Sequence, residues 1–243
     1  MTVIGVIPAR FASTRLAGKV LAPIDGKPMI QHVYERTCLS RLLDEVIIAC
    51  DDVRVKQAAD AFGARTVMTD PRHTCGTDRI VEVVKGLDVQ VIVNVQGDEP
   101  LIDPSVIDSL VEAITEDPDV PMATVIKKVS DPIDLDNPNI VKVVIDQKQM
   151  AIYFSRSRIP YNRGSDEHLY FKHLGLYAYT KEFLLKFASL PKAKLEITES
   201  LEQLRAIENG FRIKTVLTEI ETIGVDTSED LIKVEKLIKE RTA

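Results

Sequence analysis

VIGVIPARFASTRLAGK, residues Val3–Lys19, decides how the rest of the chain is read. Val3–Ile7 is an apolar run of strand length, and Pro8 ends it. The loop that follows carries Arg10, Arg15 and Lys19, separated by small residues such as Ala9, Ala12, Ser13, Ala17 and Gly18. Three cations on one loop beyond a buried strand repel each other unless an anion neutralises them. Small residues let backbone N–H groups approach such an anion closely. Arg10 and Arg15 offer paired donors, and Lys19 offers a point charge. The spacing is neither G-x-x-x-x-G-K-[ST] nor G-x-G-x-x-G. A polyphosphate held in another manner is the expectation; the plainer alternative is a solvated basic loop.

Composition narrows the class. A chain of 243 residues with 45% hydrophobic content can build a substantial core. No linker-like tract or internal repeat interrupts it, so a single domain over 1–243 is expected. The net charge of −6 argues against a protein that coats nucleic acid. No apolar run approaches the ~20 residues of a membrane span, and the opening strand leaves no signal-peptide pattern. Cys38, Cys50 and Cys75 form neither a zinc pattern nor a disulfide framework. A cytoplasmic protein without membrane insertion is expected.

Working outward, apolar runs alternate with helical patterns. Strands are expected at Val3–Ile7, Glu45–Cys50, Arg65–Met68 and Val89–Val95. Helices are expected at Met29–Leu39, Val53–Phe62, Thr77–Lys85 (opened by Thr77) and Pro104–Thr115. Near-continuous apolar strands separated by helices predict an α/β fold, with a mostly parallel sheet and helices on both faces. After about residue 120 the strands Met122–Val129, Ile140–Asp146, Ala151–Ser155 and Gly175–Tyr179 predict a smaller antiparallel extension. Helices at Lys181–Ala188 and Thr198–Asn209, a strand at Arg212–Leu217 and a last helix from Ser228 to Glu240 complete the pattern.

Ligands of parallel sheets sit beyond the carboxyl ends of the strands. Pro8–Lys19 falls at that edge, as does Gln96–Glu99 within VNVQGDEPLI (93–102). A carboxylate there can hold Mg²⁺, which accepts a few carboxylates together with phosphate oxygens and water. Asp226 in GVDT offers a second one. Each acid also has a plainer reading, Asp98 as turn chemistry and Asp226 as a helix cap.

At this point the chain resembles the CMP-Kdo synthetase family, the 3-deoxy-manno-octulosonate cytidylyltransferases. The motifs that carry the resemblance run nearly end to end: IPARFASTRLAGK with DGKPMI, HTCGTDR, NVQGDEP, NPNIVKVV, YFSRSRIP, HLGLYAY, LEQLRAIENG and GVDTSEDL. The resemblance implies a Rossmann-like nucleotidyltransferase fold, and transfer of CMP from CTP to the anomeric C2 hydroxyl of Kdo with release of pyrophosphate. It also implies Mg²⁺ dependence, a homodimer with contacts from about 120–180, and a role in lipopolysaccharide assembly. Carried over by motif, Arg10, Ser13, Arg15 and Lys19 bind the triphosphate, Arg15 facing the pyrophosphate and Lys19 the α-phosphate. Pro8, Ala9, Arg72, Cys75, Gly76 and Gly97 belong to the nucleotide site. Asp98 and Asp226 ligate the metal, and with Lys19 and Arg15 they form the catalytic set. Gln96, Arg156, His173, Tyr177, Glu199 and Gln203 line the sugar site. The chain departs from the family at Cys75, where a serine is common; a thiol is the poorer hydrogen-bond partner.

The sugar residues make chemical sense in their own right. Kdo carries a carboxylate, which suits Arg156; a surface arginine is the alternative. His173 can donate to a sugar hydroxyl, but a lone histidine before a strand is more often structural. Tyr177 lies four residues further along a strand, on the same face; a core tyrosine is the alternative. Glu199 and Gln203 are spaced to share a helix face, as solvated residues also do. Competing readings are a CMP-sialic acid synthetase, a metal-dependent glycosyltransferase and a silent nucleotide-binding module.

Overall fold

The opening apolar run becomes strand β1 (Val3–Ala9), buried along nearly its whole length. The computed structural model describes residues 1–12, 18–164 and 169–242; Ser13 and Arg15 lie outside the described residues. A short 3-10 turn at Lys19–Leu21 leads to a hairpin of β2 (Pro23–Ile24) and β3 (Lys27–Pro28). Its turn, Asp25-Gly26, takes positive φ at both residues (47° and 79°), as a tight two-residue hairpin turn requires. Next come α1 (Met29–Thr37), β4 (Glu45–Cys50), α2 (Val53–Ala61), β5 (Arg65–Met68), α3 (Gly76–Val84), β6 (Val91–Asn94) and α4 (Pro104–Thr115). Capping chemistry sets their ends. Asp52 accepts from the Arg54 amide at 2.8 Å to open α2, and Asp103 accepts from the Ser105 amide at 2.9 Å ahead of α4. Pro104 then suits the first helical position.

The chain continues through β7 (Met122–Lys128), α5 (Ile133–Asp136), β8 (Lys142–Ile145), β9 (Ala151–Ser155), β10 (Phe171–Thr180), α6 (Lys181–Ser189), α7 (Lys194–Glu199), α8 (Gln203–Glu208), β11 (Ile213–Thr218) and α9 (Ser228–Thr242). Two compact units emerge, Met1–Asp108 with Thr222–Ala243, and Ser109–Glu221.

In the first unit the strands run parallel in the order β6-β1-β4-β5. Val6 pairs with Ile47 on one side and Asn94 on the other. The returning helix α9 places Val234 and Ile238 against Ile24, Met29 and Leu101 in one apolar cluster. In the second unit β7 lies between β11, which is parallel to it, and β10, which is antiparallel. β8 joins β10 and β9, both antiparallel. The antiparallel extension is thus present, with one parallel strand added.

Two local expectations need correction. Helix α3 begins at Gly76, and its cap is Cys75 rather than Thr77. The helix expected over Thr198–Asn209 is two helices, because Ser200 sits in the left-handed region (φ 53°, ψ 50°). Glu199 therefore ends α7 and Gln203 opens α8, so they share no helix face.

A buried ion pair ties those two helices together. Arg205 on α8 donates through Nε to Glu196 Oε2 (2.8 Å) and through Nη2 to Oε1 (2.5 Å). Burial pushes the Glu196 carboxyl up, but Arg205 and the Ala193 amide outweigh it and hold the pKa below the ordinary value. Removing one partner leaves the other charge buried and unpaired. Arg205→Met is expected to destabilise the protein by about 3 kcal/mol, read by urea denaturation; an unchanged midpoint would show the pair to be dispensable.

Candidate active site

Parallel pairing of β6, β1 and β4 brings their carboxyl ends to one edge of the first unit. Pro8-Ala9, Asp51 and the 95–99 turn emerge there, and the Val225 amide donates to the Asp98 carbonyl at 2.8 Å, which brings in the 224–227 segment. At this edge Lys19 Nζ lies 2.7 Å from Asp98 Oδ2 and 3.0 Å from Asp226 Oδ1. The lysine is only 9% exposed. Burial draws its pKa down, but the two carboxylates overcome that and hold it above the ordinary value. The ammonium is fully charged at neutral pH.

Around this trio opens a cleft of about 360 Å³. Of the residues expected in the nucleotide and metal sites, Pro8, Arg10, Lys19, Gly76, Gly97, Asp98 and Asp226 line it, and so does Gln96, expected at the sugar site. Gly97 is there for a steric reason. A Cβ at this position would stand 2.8 Å from the Pro8 carbonyl oxygen, so the β1 and β6 ends meet only if residue 97 has no side chain. Arg10 donates to the Thr74 carbonyl at 3.2 Å and so meets the loop before α3. The Cys75 thiol accepts from the Asp78 amide at 3.4 Å as the cap of α3. Ala9 is buried in β1. Arg72 pairs with Asp70, its side chain 89% exposed, and does not line the cleft.

Asp98 and Asp226 aim two hard oxygen donors at a single cation. Among the described residues no group of three or more His, Cys, Asp or Glu side chains could hold a metal. Two carboxylates do suit Mg²⁺, which takes its remaining oxygens from phosphate and water.

Two residues of this edge, Asp51 and Arg79, escaped the sequence reading. Asp51 accepts from the Phe11 amide at 3.0 Å and from Arg79 Nη2 at 2.9 Å. Arg79 is wholly buried and also donates to the Thr69 hydroxyl. The pair anchors the chain just beyond Arg10. Asp51 follows a buried strand at its carboxyl end, the same signal that marked Asp98. Glu99 is buried, and burial together with the Asp98 charge pushes its carboxyl up to about 8, so it is mostly neutral at pH 7.

The second unit holds the residues expected to meet a sugar. Glu199 accepts from the Ser155 hydroxyl (2.6 Å) and the Arg156 amide (3.0 Å), which docks α7 on the end of β9. Arg156 donates through Nε to the Glu199 carbonyl (2.7 Å) and through Nη1 to the Pro138 carbonyl (2.9 Å). Gln203 is buried, and its Nε2 has no partner among the described residues. The rings of His173 and Tyr177 lie 5.4 Å apart, closer than a regular strand allows for residues four apart. An irregularity between Leu174 and Tyr177 takes up the intervening residues and keeps both rings on one face. Burial pushes the Tyr177 hydroxyl far up, so it stays protonated.

His173 Nε2 is 2.9 Å from Thr124 Oγ1, whose single proton goes to the Leu176 carbonyl at 2.8 Å. Nε2 therefore carries the ring proton and donates, leaving Nδ1 as an acceptor. Burial lowers the His173 pKa to about 3. Below an unfolded value near 6.5 the unfolded chain takes up a proton that the folded chain refuses, so stability falls with pH. Between pH 7 and pH 5 this costs at most about 2 kcal/mol. Urea titrations of His173→Gln should show a smaller loss over that range than the parent chain; equal losses would contradict the buried neutral ring.

The description "Cytidylyltransferase" belongs to the family model that matches residues 4–222. A 3-deoxy-manno-octulosonate cytidylyltransferase of Solibacter usitatus is 54% identical over 238 residues, covering 98% of this chain and 94% of the relative. One from Geobacter sulfurreducens is 49% identical over 250 residues, covering 98% and 100%. The solved structure of a CMP:2-keto-3-deoxy-manno-octonic acid synthetase complexed with CTP superposes with a TM-score of 0.96 at 44% identity, over 99% of this chain and 100% of that one. A 4-diphosphocytidyl-2C-methyl-D-erythritol synthase from Anaerococcus prevotii shares the fold alone, with a TM-score of 0.66 at 15% identity, over 98% and 99% of the two chains. With its cation-and-carboxylate cleft at the strand ends and this breadth of similarity, the chain belongs to the cytidylyltransferase family, among the 3-deoxy-manno-octulosonate cytidylyltransferases.

Proposed function

We propose that this chain transfers CMP from CTP to the anomeric C2 hydroxyl of Kdo, giving CMP-Kdo and pyrophosphate. The observation that carries the reading is the convergence of Lys19, Asp98 and Asp226 in the cleft beside β1. The relatives named for this reaction support it. The sugar oxygen forms the new bond to the α-phosphorus, the bond from that phosphorus to the pyrophosphate oxygen breaks, and the hydroxyl proton leaves to solvent.

Lys19 and Arg10 bind the triphosphate, and the Lys19 ammonium meets negative charge as it builds on the α-phosphate. Arg15 serves the departing pyrophosphate in this reading. Asp98 and Asp226 hold Mg²⁺, which would supply further charge neutralisation at the α-phosphate. In the second unit Arg156 recognises the sugar carboxylate. Gln203 and the Nδ1 acceptor of His173 serve hydroxyl groups. Lipopolysaccharide assembly, a cytoplasmic site and a homodimer belong to the same reading. No helix among the described residues is long and apolar enough to cross a membrane.

Pyrophosphate release from CTP, Kdo and Mg²⁺ tests the reading. Asp98→Asn should lower turnover by at least about 100-fold with an unchanged far-UV spectrum. Near-parental turnover in that variant would overturn the metal assignment, and faster release with sialic acid than with Kdo would overturn the substrate.

A further inference from the structure

The motif NPNIVKVV (137–144) plays no part in the chemistry assigned so far. Its lysine, Lys142, opens β8 and is completely buried. All three of its N–H donors have partners, and every partner is a backbone carbonyl: Asn137 at 2.9 Å, Ile140 at 2.6 Å and Arg156 at 2.6 Å. Burying an ammonium is costly, and the three carbonyl dipoles offset that cost by matching every donor.

Those partners share a purpose. Lys142 holds the main chain of Arg156 directly, through the Arg156 carbonyl. It also holds the 137–140 segment, whose Pro138 carbonyl accepts from Arg156 Nη1 at 2.9 Å. Arg156 Nε and Nη2 go to the carbonyls of Glu199 (2.7 Å) and Ser200 (3.4 Å). A guanidinium has five N–H donors, so these three bonds fix its plane and leave two for a ligand. Lys142 thus fixes the residue at its backbone and one of the acceptors that fix its head.

We propose that Lys142 is a positioning residue for sugar-acid recognition, setting the Arg156 fork in the orientation that meets the carboxylate. The proposal rests on the reading above, in which Arg156 binds that carboxylate. Lys142 itself touches no substrate; it acts through Arg156.

Steady-state kinetics on full-length Lys142→Met, Lys142→Gln, Arg156→Met and the double variant Lys142→Met/Arg156→Met test it, with folding checked by circular dichroism. Both Lys142 variants should raise the KM for Kdo about tenfold or more while the KM for CTP stays within about twofold. Because Lys142 acts through Arg156, the double variant should bind Kdo no worse than Arg156→Met alone. The proposal is overturned by an unchanged KM for Kdo in either folded Lys142 variant, by parallel rises in both KM values, or by additive losses in the double variant. Unfolding of both Lys142 variants also overturns it, since the residue would then serve folding alone. If Arg156→Met leaves the KM for Kdo unchanged, the assignment of Arg156 has failed first, and the role of Lys142 falls with it.

Discussion

One ammonium group shared by two carboxylates is the interaction on which the first unit turns. Asp98 and Asp226 stand 79 and 207 residues from Lys19 along the chain. Two carboxylates aimed at one point repel each other, and only a cation between them makes the arrangement tolerable. Lys19 supplies that cation in the structure described. The same electrostatics make the corner receptive to a divalent ion and a polyphosphate, in which positive and negative charge arrive together.

The surrounding architecture delivers these groups. Adjacent parallel strands β1 and β6 end side by side, and Gly97 lets their ends touch. The Val225–Asp98 backbone bond carries Asp226 in from the far end of the chain. The buried Arg79–Asp51 pair holds the main chain just past Arg10. The second unit uses a different device, charged groups satisfied mainly by backbone carbonyls and amides. Buried Lys142 and the half-buried Arg156 and Glu199 form one such network. Networks of this kind stiffen their members when every donor is matched and are costly when one is not.

Much of this was legible in the sequence, and for identifiable reasons. Glu45–Cys50, Arg65–Met68, Pro104–Thr115 and Ala151–Ser155 read directly because apolar runs, turn residues and caps agree at their ends. The convergence of Lys19, Asp98 and Asp226 followed from the rule that parallel strands present ligands at their carboxyl ends. The break at Ser200 left no mark, since its neighbours are ordinary helix residues and a serine does not announce a left-handed backbone. Lys142 and Arg79 were also invisible, because a charged residue announces neither its own burial nor the carbonyls it will meet. Arg72, placed in the nucleotide site by motif, forms an exposed pair with Asp70 in the structure, a local partner two residues away that the motif did not announce.

The most direct measurement is a crystal structure of this chain with CTP and Mg²⁺. The account predicts the triphosphate beside Pro8, Arg10 and Lys19, with the ion bonded to carboxylate oxygens of both Asp98 and Asp226. A nucleotide bound away from that cleft, or an ion that touches neither acid, would contradict it.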